Sequence, residues 1–248
     1  MQTKKKKKYL VVIVLVGLAV VTYHFFSPYK IQFLGHYNKV WAHRVNSLEK
    51  LDAALNYFEG VELDLVYLPD QNSFDVNHPP AESIGLSFET YLKGLNGKRP
   101  YLWLDIKNLK EKNSNDVFIK LSNLLSRFNY PKSKVLVESY YPHALSKFIE
   151  NGYTSSYYVD TQLKNMAANE RLNELETIKN ILETYPTLGL SSNYVDYPVL
   201  SENFPLSKKY FWAIKSDLNP DFFMIRKMLK DTTVVAVLAR FRFIGENR

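Results

Sequence analysis

The chain contains no cysteine in 248 residues. That removes disulfides and any lipoprotein attachment residue, yet it does not argue against export, since it only takes away one stabilising device. Equally absent are internal repeats, low-complexity tracts and Gly/Ser-rich linkers. There is no P-loop, no G-x-G-x-x-G, no H-E-x-x-H and no G-x-S-x-G, so the local signatures of nucleotide cradles, zincins and nucleophile elbows are missing. Histidine is scarce, at five. Charge is scarce in one place: the formal net charge is +7, but Lys4 to Lys8 supply five of it and leave 27 basic against 25 acidic residues elsewhere. A body so nearly balanced is poor evidence for a phosphate-backbone binder, and no nucleic-acid partner is expected.

What the chain does have begins at that lysine block. "KKKKKYLVVIVLVGLAVVTYHFF" places a basic tail, residues 1–8, before an apolar run from Tyr9 to Phe26 that includes His24. Eighteen helical residues rise about 27 Å, close to the roughly 30 Å of a bilayer's hydrocarbon core. The run therefore predicts a transmembrane signal-anchor over 9–26, with the lysines cytoplasmic and the rest of the chain on the external or periplasmic side. A cleaved signal peptide is the competing reading, although no A-x-A pattern follows the run. The remainder, 27–248, is long enough and apolar enough for one core.

Within it, strand-like runs alternate with helical patterns. The strands are expected at 40–45, 61–66, 101–106, 134–138, 154–159, 187–190, 210–214 and 233–238. Ser47 is placed to cap a helix carrying Leu48, Leu51, Leu55 and Phe58 on one stripe. Ser114 or Asn115 starts another, with Val117, Leu121, Leu124, Leu125 and Phe128 on one face. Asn219 and Pro220 read as a cap and first-turn proline ahead of Phe222, Ile225 and Leu229. Eight strands separated by helices fit a (β/α)8 TIM barrel; a doubly wound open sheet has the same alternation.

A barrel builds its site at the C-terminal ends of its strands, and chemistry-capable residues gather at those positions. In "GVELDLVYL", Glu62 and Asp64 alternate with Val61, Leu63 and Leu65, so both carboxylates project from one side of the strand. Two buried carboxylates repel each other, and a hard divalent cation such as Mg²⁺ or Ca²⁺ resolves that; a solvated face or an Arg-paired site is the alternative. In "YLWLDIKNL", Asp105 and Lys107 share a face, as a third ligand and a phosphate cation or as a simple ion pair. Glu138, ending "KVLVES", reads more as a surface glutamate than as a ligand. His43 closes the first strand, and His78 follows the second in "FDVNHPP". Imidazole moves protons both ways near neutral pH, so this pair is the candidate base and acid. His36 and His143 read as structural or exposed.

Together "AHRVNS", "VELDL", "FDVNHPP" and "LWLDIKNL" resemble the phospholipase-C-like phosphodiesterase superfamily, which includes glycerophosphodiester phosphodiesterases and sphingomyelinase D enzymes. The likeness runs from about Trp41 to Asn108, and "HRVNS" and "NHPP" are most similar to the menorin family. It implies a metal-dependent barrel in which Glu62, Asp64 and Asp105 hold Mg²⁺ or Ca²⁺. His43 and His78 would be the acid-base pair, Arg44 would meet the phosphate, Lys107 would contact the phosphate or orient Asp105, and Asn46 and Trp212 would complete the substrate site. Two positions depart from the glycerophosphodiesterase pattern: Val45 stands where glycine usually follows H-R, and Pro79 where aspartate usually follows the second histidine. The function implied is a membrane-anchored, metal-dependent phosphodiesterase hydrolysing a glycerophosphodiester-like or lipid phosphodiester by two-histidine acid-base catalysis, with a lipid or cell-envelope component as a candidate substrate. A non-catalytic barrel binding a phosphate-bearing ligand or surface partner, and after it a glycosidase, are the alternatives.

Overall fold

Eight parallel strands close on themselves in a computed structural model that describes residues 2–159, 162–214 and 220–243. The side chains of 2–6, 24–26, 213 and 214 lie outside that description, so the expectations resting on His24, on the first lysines and on Asn219 do too. Helix α1 (Gln2–Phe26) precedes the barrel. The chain then runs β1 (Val40–His43), α2 (Leu48–Ala54), β2 (Gly60–Leu68), β3 (Ser73–Val76), α3 (Phe88–Gly94) and β4 (Tyr101–Ile106). It continues with α4 (Ser114–Arg127), β5 (Val135–Ser139), α5 (Ser146–Glu150), β6 (Thr154–Tyr158), α6 (Ala168–Thr184) and β7 (Gly189–Asn193). It ends with α7 (Tyr197–Asn203), β8 (Lys209–Ile214), α8 (Phe222–Lys230) and β9 (Val234–Arg240).

Neighbouring strands pair in parallel from β1 through β9, and β1 meets β2 at Ala42 and Val61 to close the cylinder. This is the (β/α)8 TIM barrel and not the open sheet. The eighth parallel strand is β9, because β3 is an extra, antiparallel strand on the upper half of β2, pairing Leu65–Leu68 with Ser73–Val76. That hairpin was not foreseen. A four-residue strand, "SFDV", with no helix before it carries no period long enough to read.

The interior is filled by large rings. Trp41, Trp103, Leu136, Tyr210, Ala236 and Leu238 pack inside the barrel. Gly60 and Gly189 make room for them, since a Cβ on the first would fall on the Trp41 ring and on the second on the Tyr210 ring. Outside the strands, Val61, Leu63, Leu65, Leu102, Leu104 and Ile106 join the core shared with the helices. Helix α2 is capped as expected, Ser47 accepting from the Lys50 N–H at 3.1 Å, but it stops at Ala54, short of Leu55 and Phe58. Helix α4 buries Val117, Leu121, Leu124 and Leu125. Helix α8 starts at Phe222 with Asp221 as its first flank, so Pro220 stands outside the first turn; Ile225, Met228 and Leu229 face the core. His143 sits in a four-residue 3-10 turn, exposed, against the Tyr185 hydroxyl at 2.9 Å.

Among the described residues no helix is long and apolar enough to cross a membrane. The described side chains of α1 end at Tyr23, and the expected span counts on to Phe26. From Tyr9 to Val21 its large apolar side chains are all exposed, each by more than half.

Candidate active site

Four carboxylates stand inside the barrel at the C-terminal ends of β2, β4 and β5. Strand periodicity puts Glu62 and Asp64 on one face, and the register aligns Asp64 with Asp105 and Asp105 with Glu138. Trp103 and Leu136 lie two residues below on the same faces and floor the site. Glu62, Asp64 and Asp105 each bring a carboxylate oxygen within 4.8 Å of the others, and all three are buried. Glu138 corrects the surface reading: it is 2% exposed, Oε2 accepts from the Trp103 Nε1–H at 3.0 Å, and Oε1 has no hydrogen-bond partner. Parity with Leu136 means interior here, because the lower interior of this barrel is itself apolar.

Lys107 leans into this cluster. Its Nζ donates to Asp64 Oδ1 at 2.7 Å and to Asp105 Oδ2. Burial by itself would lower its pKa, but the Asp105 and Asp64 carboxylates outweigh that and raise it above the ordinary lysine value. One ammonium does not satisfy the set. Burial first, and then repulsion from Asp64 and Asp105, pushes Glu62 well above the usual carboxylate range. Burial raises Asp105 against the pull of Lys107. Glu138, desolvated and facing Asp105, is pushed up to about 8.

The turn between β1 and α2 delivers the next group. His43 is half-buried with Nε2 3.6 Å from Glu62 Oε2. Burial, reinforced by the adjacent Arg44 guanidinium, holds its pKa down at about 3, so the imidazole is neutral. Arg44 adopts φ +53°, the left-handed region that non-glycine residues rarely occupy. That twist points the Arg44 N–H at Glu62 Oε2, 2.6 Å away, and lets the Val45 N–H bond the Glu62 carbonyl at 2.8 Å. Asn46, expected from sequence among the phosphate contacts, engages Asp64 with both ends of its amide: Nδ2 donates to Oδ2 at 2.6 Å, and Oδ1 accepts from the Asp64 N–H at 3.0 Å.

The unforeseen hairpin places His78. Strand β3 returns the chain over β2, the Asn77 N–H bonds the Asp64 carbonyl at 3.1 Å, and His78 Nε2 comes to 4.0 Å from Asp64 Oδ1. Arg44 Nη2 lies 3.0 Å from His78 Nε2. A guanidinium only donates, so Nε2 accepts and the His78 proton sits on Nδ1. The two histidines thus flank the carboxylates, one beside Glu62 and one beside Asp64.

Trp212 lies across the mouth from these groups, half-buried and stacked on Tyr158 with ring centroids 4.4 Å apart; Tyr158 in turn meets Tyr140 at 3.8 Å. Burial raises the pKa of both tyrosines, and Asp105 and Glu138 add to it, which puts this aromatic wall beside the acidic cluster. Tyr140 and Tyr158 are the rim residues that sequence reasoning left out, and Glu138 is the buried one that it read as surface. The signal available was their position, each at or just past the end of a strand.

By sequence the chain matches no protein-family model and no curated protein. By structure it is similar to a glycerophosphodiester phosphodiesterase from Parabacteroides distasonis ATCC 8503, with a TM-score of 0.59 and 18% identity over 82% of this chain and 93% of that one. A phosphodiesterase from Oleispira antarctica, solved in complex with its product sn-glycerol-3-phosphate, gives 0.55 and 18% over 81% and 92%. The enzyme from Thermotoga maritima gives 0.52 and 17% over 82% and 94%. At these identities the likeness is one of architecture: the chain has the barrel fold of the glycerophosphodiester phosphodiesterases.

Proposed function

We propose that the chain is a metal-dependent phosphoric diester hydrolase of the phospholipase-C-like superfamily, anchored in a membrane and acting on a glycerophosphodiester-like or lipid phosphodiester. The supporting observation is the meeting of three buried carboxylates, two histidines and the cations Arg44 and Lys107 at the C-terminal rim of one barrel. Glu62, Asp64 and Asp105 bring three negative charges and Lys107 returns one, so a dipositive ion balances the set, and all-oxygen donors suit Mg²⁺ or Ca²⁺. Bound there, such an ion supplies Lewis-acid charge for the phosphate oxygens.

The chain's own groups do the rest. Arg44, exposed at the mouth, donates to a phosphate oxygen, and Lys107 keeps the carboxylates oriented while adding positive charge. Asn46 holds Asp64 from the side. One histidine, as the neutral imidazole, takes the proton of the attacking hydroxyl, while the other enters the step as the imidazolium and gives its proton to the leaving oxygen; Arg44 moving from His78 Nε2 to the phosphate frees that nitrogen for the exchange. The wall of Tyr140, Tyr158 and Trp212 lines the path of the substrate's alcohol portion.

The anchor is supported by the composition of α1. Five lysines precede eighteen residues of apolar character, and the large side chains from Tyr9 to Val21 pack on nothing in the barrel. An apolar helix left in water carries a large unfavourable hydration term. With lysines on the cytoplasmic side, the barrel lies on the external or periplasmic side.

The test is turnover by the full chain in detergent of bis-aryl and glycerophosphodiester substrates, with Mg²⁺ or Ca²⁺ and again with EDTA. Hydrolysis lost in EDTA is the expected result. Phosphate ligands that raise the melting temperature without turnover of any diester would replace the hydrolase with a binding barrel. Release of the chain from membranes by carbonate washing would remove the anchor.

A further inference from the structure

Helix α1 joins the barrel at the end opposite the carboxylates. The Ser27 N–H bonds the Tyr23 carbonyl at 3.2 Å, the Ile31 N–H bonds the Tyr23 hydroxyl at 2.8 Å, and Lys30 Nζ donates to the Tyr23 carbonyl at 3.0 Å. By Gln32 and Phe33 the chain is buried, and Arg226 of α8 donates to the Gln32 and Leu34 carbonyls. Lys39 then donates to the Leu229 and Asp231 carbonyls at 2.9 and 2.7 Å, just before β1 begins. Only residues 27–31 separate α1 from this fixed point, and the Lys30 and Ile31 bonds to Tyr23 fold that segment back on the end of the helix. A six-residue strand such as β4 is itself about 20 Å long. The end of α1 is therefore tied to the N-terminal end of the barrel, about a strand's length from the mouth.

That opposite end has the chemistry of a bilayer-facing surface. The segments leading into the strands, 27–39, 55–59, 95–100, 128–134, 151–153, 185–188, 204–208 and 231–233, hold seven lysines and arginines against two acidic residues, Glu59 and Asp231. Leu206 is 92% exposed there, Ile31 and Leu34 stand exposed beside the end of α1, and Tyr29 and Tyr57 are half-exposed in edge-to-face contact. Exposed aliphatic groups ringed by tyrosine and lysine are the composition of a membrane–water interface. The mouth lacks that excess: its described loops mix Arg44, Lys107, Lys110, Lys112, Lys164 and Arg242 with Asp70, Glu82, Glu111, Asp196 and Asp221, above four buried carboxyl groups.

Resting on the anchored reading above, we propose that the barrel sits on an anionic phospholipid bilayer by its N-terminal end, with the catalytic mouth opening away from the membrane that holds it. Substrate then arrives from the aqueous side, as a soluble diester or an extended envelope polymer, and not from the lipid beneath the barrel.

The chain's lack of cysteine makes a clean experiment. Single cysteines at Leu206 and Tyr57, and separately at Glu82 and Lys112 in the exposed loops at the mouth, are labelled with NBD in the full chain. Each is reconstituted into phosphatidylethanolamine–phosphatidylglycerol vesicles carrying a headgroup-proximal spin-labelled lipid. The expected result is at least threefold stronger quenching at 206 and 57 than at 82 and 112. Replacing Lys98, Lys132 and Lys208 with glutamate should reduce the quenching at 206 at least twofold while the chain still floats with the vesicles. Stronger quenching at 82 and 112, or equal weak quenching at all four sites in vesicles that retain the chain, overturns the orientation alone. A chain that fails to float overturns the anchor, and the orientation with it.

Discussion

The two ends of this barrel handle buried charge in opposite ways. At the N-terminal end the fully buried charge is a cation, and it and the half-buried cations are each met by neutral oxygen. Lys209, fully buried, donates to the Ser207 carbonyl at 2.9 Å and to Thr233 Oγ1 at 3.0 Å; Lys134 donates to the Arg99 carbonyl at 2.6 Å, and Lys39 to two more carbonyls. At the C-terminal end the buried groups are carboxyls, four of them around one ammonium, with Glu138 Oε1 in no hydrogen bond among the described residues. An end whose cations are each met, even with the buried Gln32 Oε1 left without a hydrogen bond, serves stability. An end that buries four carboxyl groups around one ammonium is where a ligand of the opposite sign would change stability most, and the positive φ of Arg44 is found at that end.

The contrast breaks hardest at the histidines. His43→Ala, or His78→Ala, should lower kcat for a diester by about 10²–10⁴, the usual worth of a positioned acid or base. Because both side chains lie at the half-open rim, the melting temperature should move little. Equal activity in wild type and His43→Ala would detach this imidazole from the chemistry.

Next in size is the response to metal. Added Mg²⁺ or Ca²⁺ should stabilise the wild-type chain by about 2.7 kcal/mol at a hundredfold excess over Kd. In Asp64→Asn that gain should vanish, because one of three ligand oxygens loses its charge. Calorimetric titration measures both. An ion that stabilises Asp64→Asn as strongly as wild type would mean it binds elsewhere.

Glu138 sharpens the comparison through pH. Its folded pKa, about 8, lies above the ordinary value of 4.5, so the folded state prefers the protonated acid. In chelator, this group's contribution is intact below about pH 4.5, declines as pH rises, and is fully lost above about 8. Glu138→Gln should flatten that decline and stabilise the metal-free chain at pH 8 by about 1–3 kcal/mol, the scale of an unsatisfied buried polar group. Denaturant melts at pH 5 and pH 8 read it directly; an unchanged slope with pH would mean Glu138 is ionised and satisfied.

How much of this was legible follows from the same geometry. The E-x-D pair and the D-I-K segment could be placed because side chains alternate with period two, and each strand's other face is unbroken Val, Leu and Ile. Glu138 escaped because both faces of β5 are apolar below it, with Val135 and Val137 outward and Leu136 inward, so alternation alone does not say which side is the interior. The barrel's closure and the aromatic filling around Trp41, Trp103 and Tyr210 are long-range facts that no local window holds. His78 was found by residue type, yet the device that carries it, the β3 hairpin, is too short to leave a period. Asn46 was read as facing substrate, and its partner, Asp64, is eighteen residues away.

The smallest effect belongs to the satisfied end, and it should leave catalysis alone. Asp231 accepts from the Thr233 N–H at 2.8 Å and from Thr233 Oγ1 at 2.7 Å, and the Tyr197 hydroxyl approaches at 3.4 Å, which ties the turn between α8 and β9. Burial opposes its ionisation, but the Thr233 hydrogen bonds and the Lys209 charge prevail, so its pKa falls below the ordinary value. Its contribution to stability is therefore present above about pH 4 and lost as the pH falls through the depressed pKa. Asp231→Ala should cost about 1 kcal/mol at pH 7, the net worth of a lost turn hydrogen bond. The cost should shrink toward pH 3, with kcat and metal affinity unchanged. If Asp231→Ala instead changes kcat tenfold at unchanged stability, the division of the barrel into a structural end and a chemical end fails, because a charge at the far rim would be acting on the site through the strands between them.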